Sequence, residues 1–473
     1  MAVIRFTPYG WRGRYDEDFN EENVVRIAAG LGGAWTRRGV GGRIYVGYDG
    51  RYRGEAFALL AGSTLASFGL EVKVARGVCP LPALAWTAAH DDRCAGVLML
   101  SASESPCEYG GIIARGANGG PVPAGILRDA ERLMMADPLD ARGEVERVNV
   151  MESYLADLEH LVDLGLIAKA NLRVVIDPMY GAVNGHLFKL LEKAGCSVTE
   201  LHGGQRDDFG GIHPAPVEPW ADECEQVVTC QRANIGLVLD SDGDRATLVD
   251  ERGRLVSAHN LTPLILSHLV EGRGMRGRVV TTLASSVRLA RQAERLGLPV
   301  TTVPVGFDRI YGETLDEDVL MGAEEYGGIC LPGHLCERDG MLVCLLALEM
   351  LAQTGAPLSQ LVDDLADTIG RMDYTRRDIR LDAAAASSLV NILPGLNPVE
   401  VAGMKPVDVN HAEGLRLSFA DGSWSMLRPS RNTAIARVYA EAPTREERDA
   451  LVDAMTEIAR DSRLWRSYGA QNS

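Results

Sequence analysis

The sequence predicts an α/β chain of several domains, three α/β units followed by one α+β unit. Three observations carry that prediction. A strand–helix–strand pattern recurs three times, the texture changes near Asp373, and 473 residues are too many for one ordinary core. In the first unit "RIYVGYD" (Arg43–Asp49) reads as a strand, "GEAFALLAGSTLASFG" (Gly54–Gly69) has helical spacing, and "LEVKVAR" is a strand again. The second unit repeats this with "LRVVIDP" (Leu172–Pro178), a helix over about 185–194, and "CSVTELH". The third runs "GRVVTTL" (Gly277–Leu283), "SSVRLARQAERLG" and "LPVTTVPV". Strands alternating with helices at this spacing predict parallel sheets covered by helices, and three similar units predict an internal threefold duplication. Beyond Asp373, polar–apolar alternation, turns such as "ADGSW" and a final helix Thr444–Ser462 predict the α+β unit. The junctions divide the chain into residues 1–145, 146–255, 256–370 and 371–473.

Composition excludes several classes. At 46% hydrophobic and 24% charged residues the chain reads as globular, and its net charge of −17 argues against wholesale nucleic-acid binding. No apolar run approaches a membrane span, and the opening "MAVIRFTPYG" lacks a signal peptide, so a cytoplasmic protein without a membrane partner is expected. Nine scattered cysteines without a Cys-x-x-Cys pair read as reduced thiols. Lysine is scarce: Lys73, Lys169, Lys189, Lys193 and Lys405 are all there are.

Four stretches carry chemistry. "GVLMLSASESPCEYGGII" (Gly96–Ile113) begins as an apolar strand, Val97 to Leu100, and breaks into small polar residues around Ser103, as a nucleophile-bearing loop does. "IGLVLDSDGDRATLVD" places Asp240, Asp242 and Asp244 at alternate positions after an apolar strand, although Gly243 is expected to bend the loop. Three hard oxygen donors on one short loop suit Mg²⁺. The rival EF-hand lacks its closing Glu, and the plain alternative is a solvated acidic turn. Arg245 follows at once and can pair with a phosphate. "MGAEEYGGI" (Met321–Ile329) joins glycines to Glu324 and Glu325, and a carboxylate there can accept paired sugar hydroxyls. "LRPSRNTAIARVY" (Leu427–Tyr439) gathers Arg428, Ser430, Arg431, Asn432 and Thr433 into a plausible phosphate cradle, or an ordinary polar turn.

These motifs together resemble the α-D-phosphohexomutase superfamily. "FTPYGWRGRYDEDFNEENV" resembles its opening segment, which makes Arg12 a candidate catalytic cation. "GYDGR", "VIDPMYGA", "FGGIHPAPVEP", "VGFDRI" and "RDG" follow in family order, "DSDGDR" is the family's metal loop, "GAEEYGG" falls in its sugar-binding loop and "RPSRNTA" in its phosphate-binding loop. "SASESP" stands where the family has T-A-S-H-N-P, so Ser103 is the counterpart of its phosphorylated serine. The resemblance implies four domains around a central cleft. It also implies Mg²⁺ held by Asp240, Asp242 and Asp244 with a Ser103 oxygen, and a phosphoryl group that shuttles between Ser103 and a small-molecule sugar phosphate. It leaves a homodimer open.

The departures cluster on proton handling and sugar reading. The family's His after the serine is Glu104, its Asn is Ser105, and its lysine ten residues on is Ile113. The lysine of its V-G-F-K stretch is Asp308, the sugar-loop Ser is Tyr326, and G-T-E of the phosphate loop is Arg431, Asn432 and Thr433. Glu104 is the candidate replacement acid/base, since a carboxyl group beside a phosphoserine feels like charge and its pKa rises. The expectation is a mutase-like enzyme with a non-standard substrate. The alternatives are a phosphatase-like outcome or a phosphosugar-binding regulator without catalysis.

Overall fold

The computed structural model describes residues 4–39, 42–134, 143–430, 434–461 and 465. Four sheets follow one another along the chain. The first has the strand order Trp11–Arg14, Tyr109–Arg115, Cys94–Leu100, Arg43–Tyr48, Glu71–Ala75, Glu146–Val148. The second runs Leu255–Val256, Ala246–Asp250, Ile235–Leu239, Arg173–Asp177, Ser197–Glu200, and the third Val300–Val303, Arg278–Thr282, Val319–Ala323, Ile329–Cys330. Each is parallel at its centre and turns antiparallel at one edge, where the chain doubles back beside the strand it has just left. The fourth sheet, five strands between Asp373 and Ala442, is antiparallel throughout and is backed by the helix Arg445–Arg460. The predicted class, three α/β units and a C-terminal α+β unit, is the observed one. The short polar strand Glu146–Val148 has no apolar alternation to announce it, yet it pairs with Glu71–Ala75 in the first sheet.

One apolar core runs through the three α/β units and joins Tyr154, Leu191, Leu266 and Leu346 among others, while the fourth unit has its own around Leu415, Val438 and Leu451. The helix Gly340–Thr354 is buried almost all round, which explains its apolar composition on every face. Among the described residues no single helix is long and apolar enough to cross a membrane. All nine cysteines are free thiols.

The doubling-back edges place the function. The loop of Ser103 joins Cys94–Leu100 to Tyr109–Arg115, the aspartate loop joins Ile235–Leu239 to Ala246–Asp250, and the Glu324 loop joins Val319–Ala323 to Ile329–Cys330. All three leave the carboxyl end of a parallel strand, where α/β sheets build their sites.

Candidate active site

The aspartate loop is held from both sides. The helix Leu81–Ala89 of the first unit donates its Leu81 N–H to the Asp242 carbonyl at 2.8 Å, and the helix Gly340–Thr354 of the third donates its Gly340 N–H to the Gly243 carbonyl at 3.1 Å. Helix N-termini have unpaired N–H groups to give, and the loop carbonyls take them. Asp240, Asp242 and Asp244 are buried, and each offers an oxygen within 4.8 Å of the others. A turn brings them together, not strand alternation: the strand stops at Leu239 and Gly243 sits at φ +69°. Strands on both sides exclude the helix–loop–helix frame of an EF-hand, and Asp250 closes a turn with Arg254 at 2.8 Å.

The electrostatics of this cluster ask for a cation. Burial and then repulsion from its neighbours push Asp240 well up and Asp242 to about 6. Asp244 goes down despite its burial because Arg338, at 2.6 Å, and Arg245 lie against it. Asp242 Oδ1 and Asp244 Oδ1 are buried with no hydrogen-bond partner among the described residues. Three carboxylates with two orphaned oxygens fit a hard divalent ion such as Mg²⁺.

Ser103 faces this cluster. Its backbone takes the left-handed φ of +49°, uncommon for a residue with a side chain, and its hydroxyl donates to Asp240 Oδ2 at 3.3 Å. Arg245 Nη1 donates to the same hydroxyl at 3.1 Å and reaches Glu104 Oε2 at 3.5 Å. Arg12 donates to the Ser105 hydroxyl at 3.0 Å. Arg245, working against the cost of burial and aided by Arg12, holds Glu104 below the usual carboxylate range. That is opposite to the rise expected beside a phosphoserine. With Ser103 unmodified the arginines outweigh the cost of burial and favour the ionised carboxylate.

In the sugar-loop position Glu324 accepts from Arg338 Nη1 at 2.7 Å, and Arg338 thereby bridges this loop to Asp244. Glu325 is buried and accepts from the Thr282 hydroxyl at 3.1 Å. The Tyr326 ring lies under the Arg376 guanidinium of the fourth unit, 5.0 Å from its centroid, and its hydroxyl is buried without a hydrogen-bond partner among the described residues. Arg428 pairs with Glu413 at 2.7 Å, and the Ser430 N–H donates to the Ile435 carbonyl at 2.8 Å. Arg431, Asn432 and Thr433 lie outside the described residues. Ile113 is packed in the core. Two residues on, along the same strand face, Arg115 is buried and pairs with Glu337, which holds Arg338 at 3.1 Å. Reading the sequence missed Arg115, Arg338 and Arg376 as site cations. "RDG" was the only local signal, since a lone arginine in a strand looks like a solvated one.

Models of three domains match the chain: phosphoglucomutase/phosphomannomutase alpha/beta/alpha domain I over residues 3–136, domain II over 152–253 and domain III over 258–369. A phosphoglucomutase/phosphomannomutase of Thermococcus kodakarensis is 28% identical over 450 residues, spanning 93% of this chain and 95% of that one. A phosphoglucosamine mutase of Moorella thermoacetica is 28% identical over 467 residues, spanning 95% and 98%. The crystal structure of a phosphomannomutase candidate from Thermus thermophilus has a TM-score of 0.86 at 30% identity, and the match covers 97% of this chain and 99% of that one. With the three domain matches in chain order and its relatives aligned almost end to end, the chain belongs to the α-D-phosphohexomutase superfamily.

Proposed function

We propose that this protein is a cytoplasmic, Mg²⁺-dependent mutase that moves a phosphoryl group between Ser103 and a sugar phosphate, on a substrate other than the usual hexose phosphates. One observation carries the reading: the Ser103 hydroxyl lies against Asp240 and Arg245 at the mouth of a buried three-carboxylate cluster. Asp240, Asp242 and Asp244 would hold the ion, with a Ser103 oxygen as a further ligand; when bound, it would draw charge from the phosphoryl oxygens. Arg245 and Arg12 neutralise the rest of that charge. Glu324 and Tyr326 read the sugar, and Arg428, Ser430, Arg431, Asn432 and Thr433 grip the non-reacting phosphate. In the half-reaction that returns the phosphoryl group to Ser103, the serine hydroxyl must lose its proton. Glu104, held ionised and sharing the Arg245 guanidinium with that hydroxyl, is the acceptor we assign. The rewritten positions Glu104 and Tyr326 support the altered substrate.

Intact-protein mass spectrometry and ³¹P NMR with a panel of hexose, pentose and aminohexose phosphates test this. The expected result is a species heavier by about 80 Da, one phosphoryl group, that is lost on adding a sugar phosphate while phosphate changes position on the sugar. Release of inorganic phosphate alone would make it a phosphatase. Binding without any phospho-form would make it a regulator.

A further inference from the structure

Asp49 and Arg51 follow the strand Arg43–Tyr48 in the first unit, and both are almost fully buried. Arg51 Nε donates to Asp49 Oδ2 at 3.0 Å. The other guanidinium nitrogens go to the backbone of the serine loop: Nη1 to the carbonyls of Pro106 and Tyr109, both at 3.0 Å, and Nη2 to those of Ser103 and, at 2.7 Å, Ser105. The guanidinium lies over the Phe209 ring of the second unit at 4.8 Å. Asp49 Oδ2 accepts from the Ser101 hydroxyl at 2.7 Å, and Ser101 Oγ in turn accepts the Ser103 N–H at 2.9 Å. Ser241, between the first two aspartates of the second unit, closes the ring: its Oγ is 2.6 Å from the Ser103 carbonyl and 3.2 Å from Asp49 Oδ2. The loop with the nucleophile and the loop with the carboxylates are thus tied to one buried ion pair.

Resting on the function proposed above, we infer that Asp49 and Arg51 are positioning residues that hold the Ser103 hydroxyl in register with the aspartate loop. Neither hydrogen-bonds the Ser103 hydroxyl, whose partners are Asp240 and Arg245. A left-handed non-glycine backbone at Ser103 does not hold itself; it persists because its surroundings over-determine it, and the guanidinium fork with Asp49 and Ser241 does so. Displacing a reacting group by 1 Å costs about 10²-fold in rate. Lysine keeps the charge at position 51 but cannot fork to four carbonyls.

The experiment compares wild type with Arg51→Lys and with Ser241→Ala, which removes one oxygen and little volume. Two readouts are taken: amide hydrogen exchange at Ser103 and Ser105, and the rate at which Ser103 takes up a phosphoryl group from glucose 1,6-bisphosphate, followed by intact mass. Arg51→Lys should speed exchange at both amides at least tenfold and slow phosphorylation about 10²-fold. KM and Mg²⁺ affinity should stay within about twofold of wild type; Ser241→Ala should shift both readouts about tenfold in the same directions. Unchanged exchange in both variants overturns the inference, as does a loss confined to KM. A wild type that takes up no phosphoryl group from glucose 1,6-bisphosphate or from any sugar phosphate of the panel, with exchange accelerated as stated in the variants, would sink the mutase reading and keep the clamp.

Discussion

Gly243 lies between two of the three clustered aspartates, and replacing it by alanine separates backbone strain from crowding. Its φ is +69°, and a Cβ there would stand 2.6 Å from Val183 Cγ1 and 2.9 Å from Pro80 Cβ. Gly274 is the matched control, with φ +70° and nothing within 4 Å of an added Cβ. The left-handed conformation costs an L-residue about 1–2 kcal/mol, which both variants incur. Forcing a methyl into packed side chains adds about 1–3 kcal/mol at Gly243 alone, for a total of roughly 2–5 kcal/mol. Val183 belongs to the main core, so the loop is what yields. Yielding moves Asp242 and Asp244 apart from their geometry with Asp240, and every 1.4 kcal/mol of that strain felt by the ion weakens it about tenfold. Calorimetric titration with Mg²⁺ should show Gly243→Ala weaker by about tenfold or more, with turnover falling in parallel, and Gly274→Ala unchanged in both. Wild-type Mg²⁺ affinity in Gly243→Ala, or an equal loss in Gly274→Ala, would refute the reasoning.

Asp242→Asn should weaken Mg²⁺ binding and abolish phosphoryl transfer; full activity under a strong chelator would overturn that. Arg428→Ala, which removes one partner of Glu413, should raise KM by a factor corresponding to about 1.5–3 kcal/mol with kcat little changed, measured on the best sugar phosphate of the panel. Glu104→Gln should lower the native turnover without changing Mg²⁺ affinity, whereas wild-type turnover of glucose 1-phosphate at about 10 s⁻¹ would mean an ordinary phosphoglucomutase. Burial disfavours the charged ring of His334, but Asp339 at 2.9 Å and Asp157 at 3.0 Å outweigh it and raise its pKa above the usual 6.5. The folded state then holds that proton more tightly, so the stabilisation is fully present below about 6.5 and lost as pH rises through the raised value. Tm should fall above neutral pH in wild type and less steeply in His334→Gln, and parallel slopes would disprove it.

The strand–helix repeats were legible in the sequence because their signals are local: apolar alternation, helical spacing and turn residues act over a few positions. The aspartate loop was legible for the same reason, since all three carboxylates come from one five-residue stretch. Folding decided the charge balance around them. Arg338 lies some ninety positions from Asp244 in sequence yet reaches it at 2.6 Å, and Arg376 crosses from the fourth unit to cover Tyr326. No local pattern marks such arginines, because an ion pair depends on which elements pack together, and the sequence separation leaves no trace in periodicity. Glu104 shows the consequence. Its neighbours in sequence made it look like an acid beside a phosphoserine, but Arg245, brought in from the second unit, turns its pKa downward. Coulomb energy is set by distance in space, and only the packed chain supplies that distance.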